Sequence, residues 1–99
     1  MMDNKKEYII CAAIHLNMPD DFPHQPINIE NGLVVCGRRH HNCFAILFFT
    51  NITCEKKNIT QGFLTSKDRF VDRKEAGDIA FKAGQISKVT DILMSEDIY

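Results

Sequence analysis

All four arginines of this 99-residue chain fall in two short windows, Arg38-Arg39 and Arg69 with Arg73, while its eight lysines are scattered. A guanidinium is a planar, permanently charged fork that matches phosphate oxygens, whereas a lysine is a hydrated point charge. The first window lies in VVCGRRHHNCF, residues 34 to 44. A strand ending on glycine and followed by a helix start presents free backbone N–H groups to an anion. Arg38, Arg39, His40 and His41 would add side-chain donors there. The second window lies in GFLTSKDRFVDRKEAGDIA, residues 62 to 80. Phe63 and Phe70 could offer ring faces to a base, Arg69 and Arg73 could bind phosphate or stack on a purine, and Asp72 could accept from a ribose or an amino group. These are the parts of a nucleotide pocket.

Plainer uses compete for each residue. The arginines could pair with Asp68, Asp72 and Asp78, both phenylalanines could be core, and Asp72 could be only a helix cap. Cys36, His40 or His41, and Cys43 could ligate zinc, but their irregular spacing lacks the paired ligands of a structural zinc site, so no metal and no cofactor are expected. The adjacent histidines could serve as acid and base on a phosphodiester, which would make the chain a small phosphodiesterase or nucleotide hydrolase. No neighbouring carboxylate orients them, so the expectation is a binding protein rather than an enzyme. A third reading is a protein-binding module whose arginines meet an acidic partner.

These residues need elements to hold them. The apolar run KEYIICAAIHL, Lys6 to Leu16, predicts a strand central to a sheet. All three prolines fall in the loop that follows, which Asn31-Gly32 closes. LVVCG predicts a second strand, and the segment from His40 or His41 to Asn51 a buried helix with Phe44, Leu47 and Phe48 on one face. EKKNITQ reads as a connecting loop, and GFLTS and RFVD as a hairpin around Ser66 to Arg69. Asp72 and Glu75 predict a capping box for a second helix, whose face of Ala76, Ile79, Ala80 and Ala83 ends at Gly84. The closing VTDILMSEDIY reads as a short strand or a tail packed on a neighbour. The expected fold is a single small α+β domain over residues 1 to 99, an antiparallel sheet packed against two helices.

Composition bounds the function. With 44% hydrophobic and 25% charged residues the chain should fold, and at this length roughly a third of the unfolded surface stays exposed, which favours association with further copies. A net charge of −1 speaks against coating long nucleic acid. The apolar run after Met1 is interrupted by Glu7 and His15 and is too short for a leader or a membrane span, so a cytoplasmic protein with reduced cysteines is expected. The two Asn-Ile-Thr sequons, at Asn51 and Asn58, would then go unused.

Taken together, EYIICAAI, VVCGRRHHNC, QGFLTSKDRFVDRKEAGDIAFKAGQI and the closing SEDIY resemble the phage anti-Thoeris sponge family. Those small proteins sequester cyclic ADP-ribose signals made by bacterial TIR-domain defence enzymes. The resemblance implies binding of a glycocyclic ADP-ribose without cleavage, assembly as a homodimer or homohexamer, ligand sites between protomers, and in some members separate sites for cyclic oligonucleotides of CBASS defence. It carries Arg38, His40, His41, Asn42, Phe63, Arg69, Phe70, Asp72 and Arg73 over as ligand-binding residues. Within that set, Arg69, Arg73 and Arg38 are assigned to the diphosphate and Phe63 or Phe70 to the adenine.

Overall fold

The computed structural model describes residues Lys6 to Ile98. Four strands, β1 (Ile9–Leu16), β2 (Leu33–Gly37), β3 (Ile59–Thr65) and β4 (Phe70–Asp72), form one antiparallel sheet in the order β2-β1-β3-β4. Two helices, α1 (His40–Thr50) and α2 (Arg73–Lys82), complete a small α+β domain. Among the described residues no helix is long and apolar enough to cross a membrane.

The strand predicted over Lys6 to Leu16 is central and begins at Ile9. Its start is held by Gln85, whose side-chain amide accepts from Ile9 N–H at 2.7 Å and donates to Ile9 C=O at 2.8 Å. Alternation along the strands sends Ala12, Ile14, Leu16, Val35, Phe63 and Val71 into one core, where α2 adds Ala76, Ile79 and Ala80. The small residues of α2 let it lie close to the sheet. The opposite sheet face is crossed by the proline-containing loop, residues 17–32. There the His15 and Phe70 rings meet at 5.6 Å, and Pro26 is buried. The loop closes at Gly32, whose φ of 90° favours glycine and whose missing Cβ leaves room for the Leu16 carbonyl.

Four expectations need correction. EKKNITQ is not all loop: Lys56–Asn58 is a single 3-10 turn, and β3 already begins at Ile59. The polar Thr60 and Gln61 disguised that strand. The hydrophobic run of α1 is not buried; only His40 and Cys43 are, while Phe44, Ile46, Phe48 and Phe49 are exposed. Apolar residues occur all round this helix, so composition does not tell which side meets the sheet. Of the two readings of the C-terminal segment, the strand is not formed among the described residues. Instead, Leu93 enters the core and Ser95–Asp97 makes a 3-10 turn. Lastly, Asp72 does cap α2, accepting from Glu75 N–H at 2.8 Å, but the Glu75 carboxylate turns to Arg69.

Candidate functional site

The two arginines of the second window sit in different surroundings. Arg69 follows the hairpin turn, a three-residue loop in which Asp68 is left-handed (φ 59°) and Thr65 N–H donates to Arg69 C=O at 2.9 Å. Its guanidinium donates to both Glu7 oxygens, at 2.9 and 3.0 Å, and to Glu75 at 3.0 Å. Thr65 donates its hydroxyl to the same Glu7 carboxylate. The Arg69 hydrogen bonds hold the Glu7 carboxyl below its ordinary range, and the two carboxylates push the guanidinium further up. Arg69 is thus neutralised twice over. Its position suits tying the N-terminal segment to the hairpin and α2 rather than receiving a diphosphate.

Arg73 is the first residue of α2, and its hydrogen-bond acceptors among the described residues are all neutral. Nη1 donates to Leu93 C=O at 2.7 Å and to the Met94 sulfur at 3.4 Å, and Nη2 donates to Gln61 Oε1 at 2.7 Å. These bonds place the guanidinium without cancelling its charge.

Near it stands His40, the first residue of α1. Its Nε2–H donates to Gly62 C=O at 2.8 Å, and its ring meets the edge of Phe63 at 5.0 Å. Burial depresses its pKa, the bond to Gly62 opposes that, and the charge of Arg73 depresses it again. The starts of two helices therefore face one locality. The start of α1 carries no acidic cap, whereas the first turn of α2 is capped by the Asp72 carboxylate. Arg39 sits just ahead of α1, its N–H bound to Asn42 Oδ1 at 3.1 Å. Its charge and that of Arg73 also reach Glu96, on the Ser95–Asp97 turn.

The predicted residues thus separate. His40, Asn42, Phe63 and Arg73 lie around the two helix starts, with Phe63 fully buried beneath them. Arg38 and His41, both exposed, flank His40 in the chain. Arg69 belongs to the carboxylate cluster, Asp72 to its cap, and Phe70 is buried on the far sheet face against His15. Buried rings at Phe63 and Phe70 present no face to an adenine. Gln61, Leu93, Met94 and Glu96 were not anticipated as neighbours of Arg73. The closing SEDIY was noted as a motif, but without the fold nothing ties it to an arginine twenty residues earlier.

The four cysteines are free. Cys43 is buried on the inner side of α1, with its thiol pushed up to about 11 by burial. Among the described residues no group of three His, Cys, Asp or Glu side chains gathers closely enough to hold a metal ion.

A sequence model of the Phage T4 y16D protein family matches residues 8–99, and the chain belongs to that phage family. No curated protein and no solved structure matches it.

Proposed function

We propose that this member of the phage y16D family is an anti-defence sponge that binds a cyclic ADP-ribose signal of bacterial TIR enzymes, a glycocyclic ADP-ribose, and holds it uncleaved. The observation that carries the reading is the closeness of the α1 start, at His40, to Arg73, a guanidinium whose hydrogen-bond acceptors among the described residues are all neutral. A diphosphate is the ligand class that rewards such a place, since backbone N–H groups, helix dipoles and guanidinium forks add there. We assign the diphosphate to Arg73 with Arg39, and polar ribose contacts to His41 and Asn42. The base-facing role moves to Phe44, four residues beyond His40 on the same stripe of α1 and 37% exposed.

The partner that completes the site is a second copy of the chain. Phe48 and Phe49 are 78% and 81% exposed, and no charged residue lies between Arg39 and Glu55. Apolar surface of that kind is costly to leave in water and is typical of subunit contacts. Closure of α1 on its counterpart would seal Phe44 and the helix starts over the ligand. His40 already donates to a backbone carbonyl, which favours a positioning role over acid-base chemistry.

The test incubates the purified protein with the product of an activated TIR enzyme, removes free nucleotide by filtration, heats the protein and analyses what is released by mass spectrometry. Release of the intact cyclic nucleotide is the expected result. A linear or shortened product would make the protein an enzyme, and an undepleted signal would end the proposal.

A further inference from the structure

Alternation along β3 puts Ile59, Gln61 and Phe63 on the face of the sheet that packs against the helices. The register with β1 sets Gln61 opposite Ile14 and Phe63 opposite Ala12, both fully buried. A glutamine in that row breaks the apolar pattern. It is also exposed, so the helix layer leaves the sheet open to solvent at this point. Beside the opening stand Arg73, whose Nη2 donates to Gln61 Oε1 at 2.7 Å, and His40, whose Nε2–H donates to the carbonyl of the next residue, Gly62. The bond from Arg73 settles which way the amide is turned. A guanidinium has donors only, so it holds the oxygen of a glutamine and not the nitrogen. The Gln61 NH2 group is left as a pair of donors next to the guanidinium, with no hydrogen-bond partner among the described residues.

We infer that Gln61 is an anion-binding residue in its own right, a side-chain amide anchored through its oxygen by Arg73 whose NH2 group grips the oxygens of a diphosphate together with that guanidinium. The inference rests on the anion-binding role proposed above for Arg73 and adds the second donor group. Two properties suit an amide to this place. Accepting from a cation polarises it, which strengthens the Nε2–H groups as donors. Being neutral, it adds donors at a point where a lysine would be repelled by Arg73 and a glutamate would cancel its charge. The break in the apolar row of β3 is thereby explained by a ligand and not by packing.

The test uses the intact protein with inorganic pyrophosphate as the probe. In NMR spectra of the side-chain amides, the Gln61 NH2 pair should move as pyrophosphate is added to the wild type. The pairs of Gln25 and Asn28, which donate to the Pro23 and Phe70 carbonyls, should stay in place. By calorimetry Gln61→Met, which keeps the length and loses both donors, should bind pyrophosphate about tenfold more weakly, the scale of a hydrogen bond to a charged group. Gln61→Glu still accepts from Arg73 but repels an anion, and should lose about a hundredfold. Its urea midpoint should stay at or above that of the wild type, because an ion pair replaces a neutral bond. Affinity and stability that fall together in Gln61→Glu would make the residue merely structural. An unmoved Gln61 NH2 pair in a wild type that binds pyrophosphate, or undiminished affinity in Gln61→Met, overturns the inference and leaves Arg73 as the partner of the anion. A wild type that binds no pyrophosphate would end the anion-binding reading, and this inference with it.

Discussion

Arg69 and Arg73 stand four residues apart at the two ends of β4, and their surroundings divide the molecule's cationic chemistry between fold and function. Arg69 is bound by two carboxylates, so its charge is spent within the chain. Arg73 is bound by a carbonyl, an amide oxygen and a thioether, so it is equally well placed but still a cation to its surroundings. What distinguishes a binding arginine from a structural one is thus the charge of its partners and not their number. A guanidinium fixed by neutral acceptors is preorganised for an anion at little further entropic cost.

The largest expected effect follows from that contrast. Arg73→Ala should weaken capture of the cyclic nucleotide by about a hundredfold, the scale of a lost charge-assisted hydrogen bond in a partly desolvated site, and Arg73→Lys should recover only part of it. Arg69→Ala should leave the affinity of the folded protein unchanged. Calorimetry on both variants checks the pair, and equal losses would erase the distinction between the two arginines.

Next in size is the stability counterpart. Arg69→Ala leaves Glu7 without its main partner and should cost about 2 kcal/mol in urea unfolding. The wild type should also be sensitive to acid through the same pair. Glu7 has a folded pKa below the ordinary 4.5, so its contribution is complete above that value and is lost as pH falls through the folded value. Glu7→Gln should flatten this part of the pH profile. Smallest for stability, within about 0.5 kcal/mol, is the double change Phe48→Ser with Phe49→Ser, because neither ring belongs to the core. If α1 is the subunit contact proposed above, sedimentation should nevertheless show a wild-type assembly that this double change reduces to single chains. Unaltered sedimentation would remove α1 as the subunit contact.

Much of the fold could be read in the sequence because local signals agreed with one another. The β-branched runs marked β1 and β2, the turn around Lys67-Asp68 marked the hairpin, and Asp72 marked the start of α2. The helix α1 was also legible as an element, but not in its orientation, since its apolar residues gave no preferred side. The site was legible only in part. His40 and Arg73 could be singled out by type and by closeness to a helix start, and Asn42 only through the family resemblance. Nothing in the chain order reveals that Glu7 would claim Arg69, or that Leu93 to Glu96 would return to Arg73. Those are long-range pairings, set by how the sheet brings distant segments together.

The loop over the back of the sheet carries one more consequence. Gln25 accepts from Val34 N–H on the outer side of β2 at 2.8 Å, and only three residues later Asn28 pairs with both backbone groups of Phe70 on the outer side of β4, at 2.8 and 2.7 Å. Two side-chain amides on one short span thus act as bookends for the whole four-stranded row. An incoming strand would have to evict one of them to find backbone partners, and edge-to-edge polymerisation is discouraged at both margins. For a protein that carries bare phenylalanines on its other layer, this leaves the helix side as the open surface for the self-association proposed above.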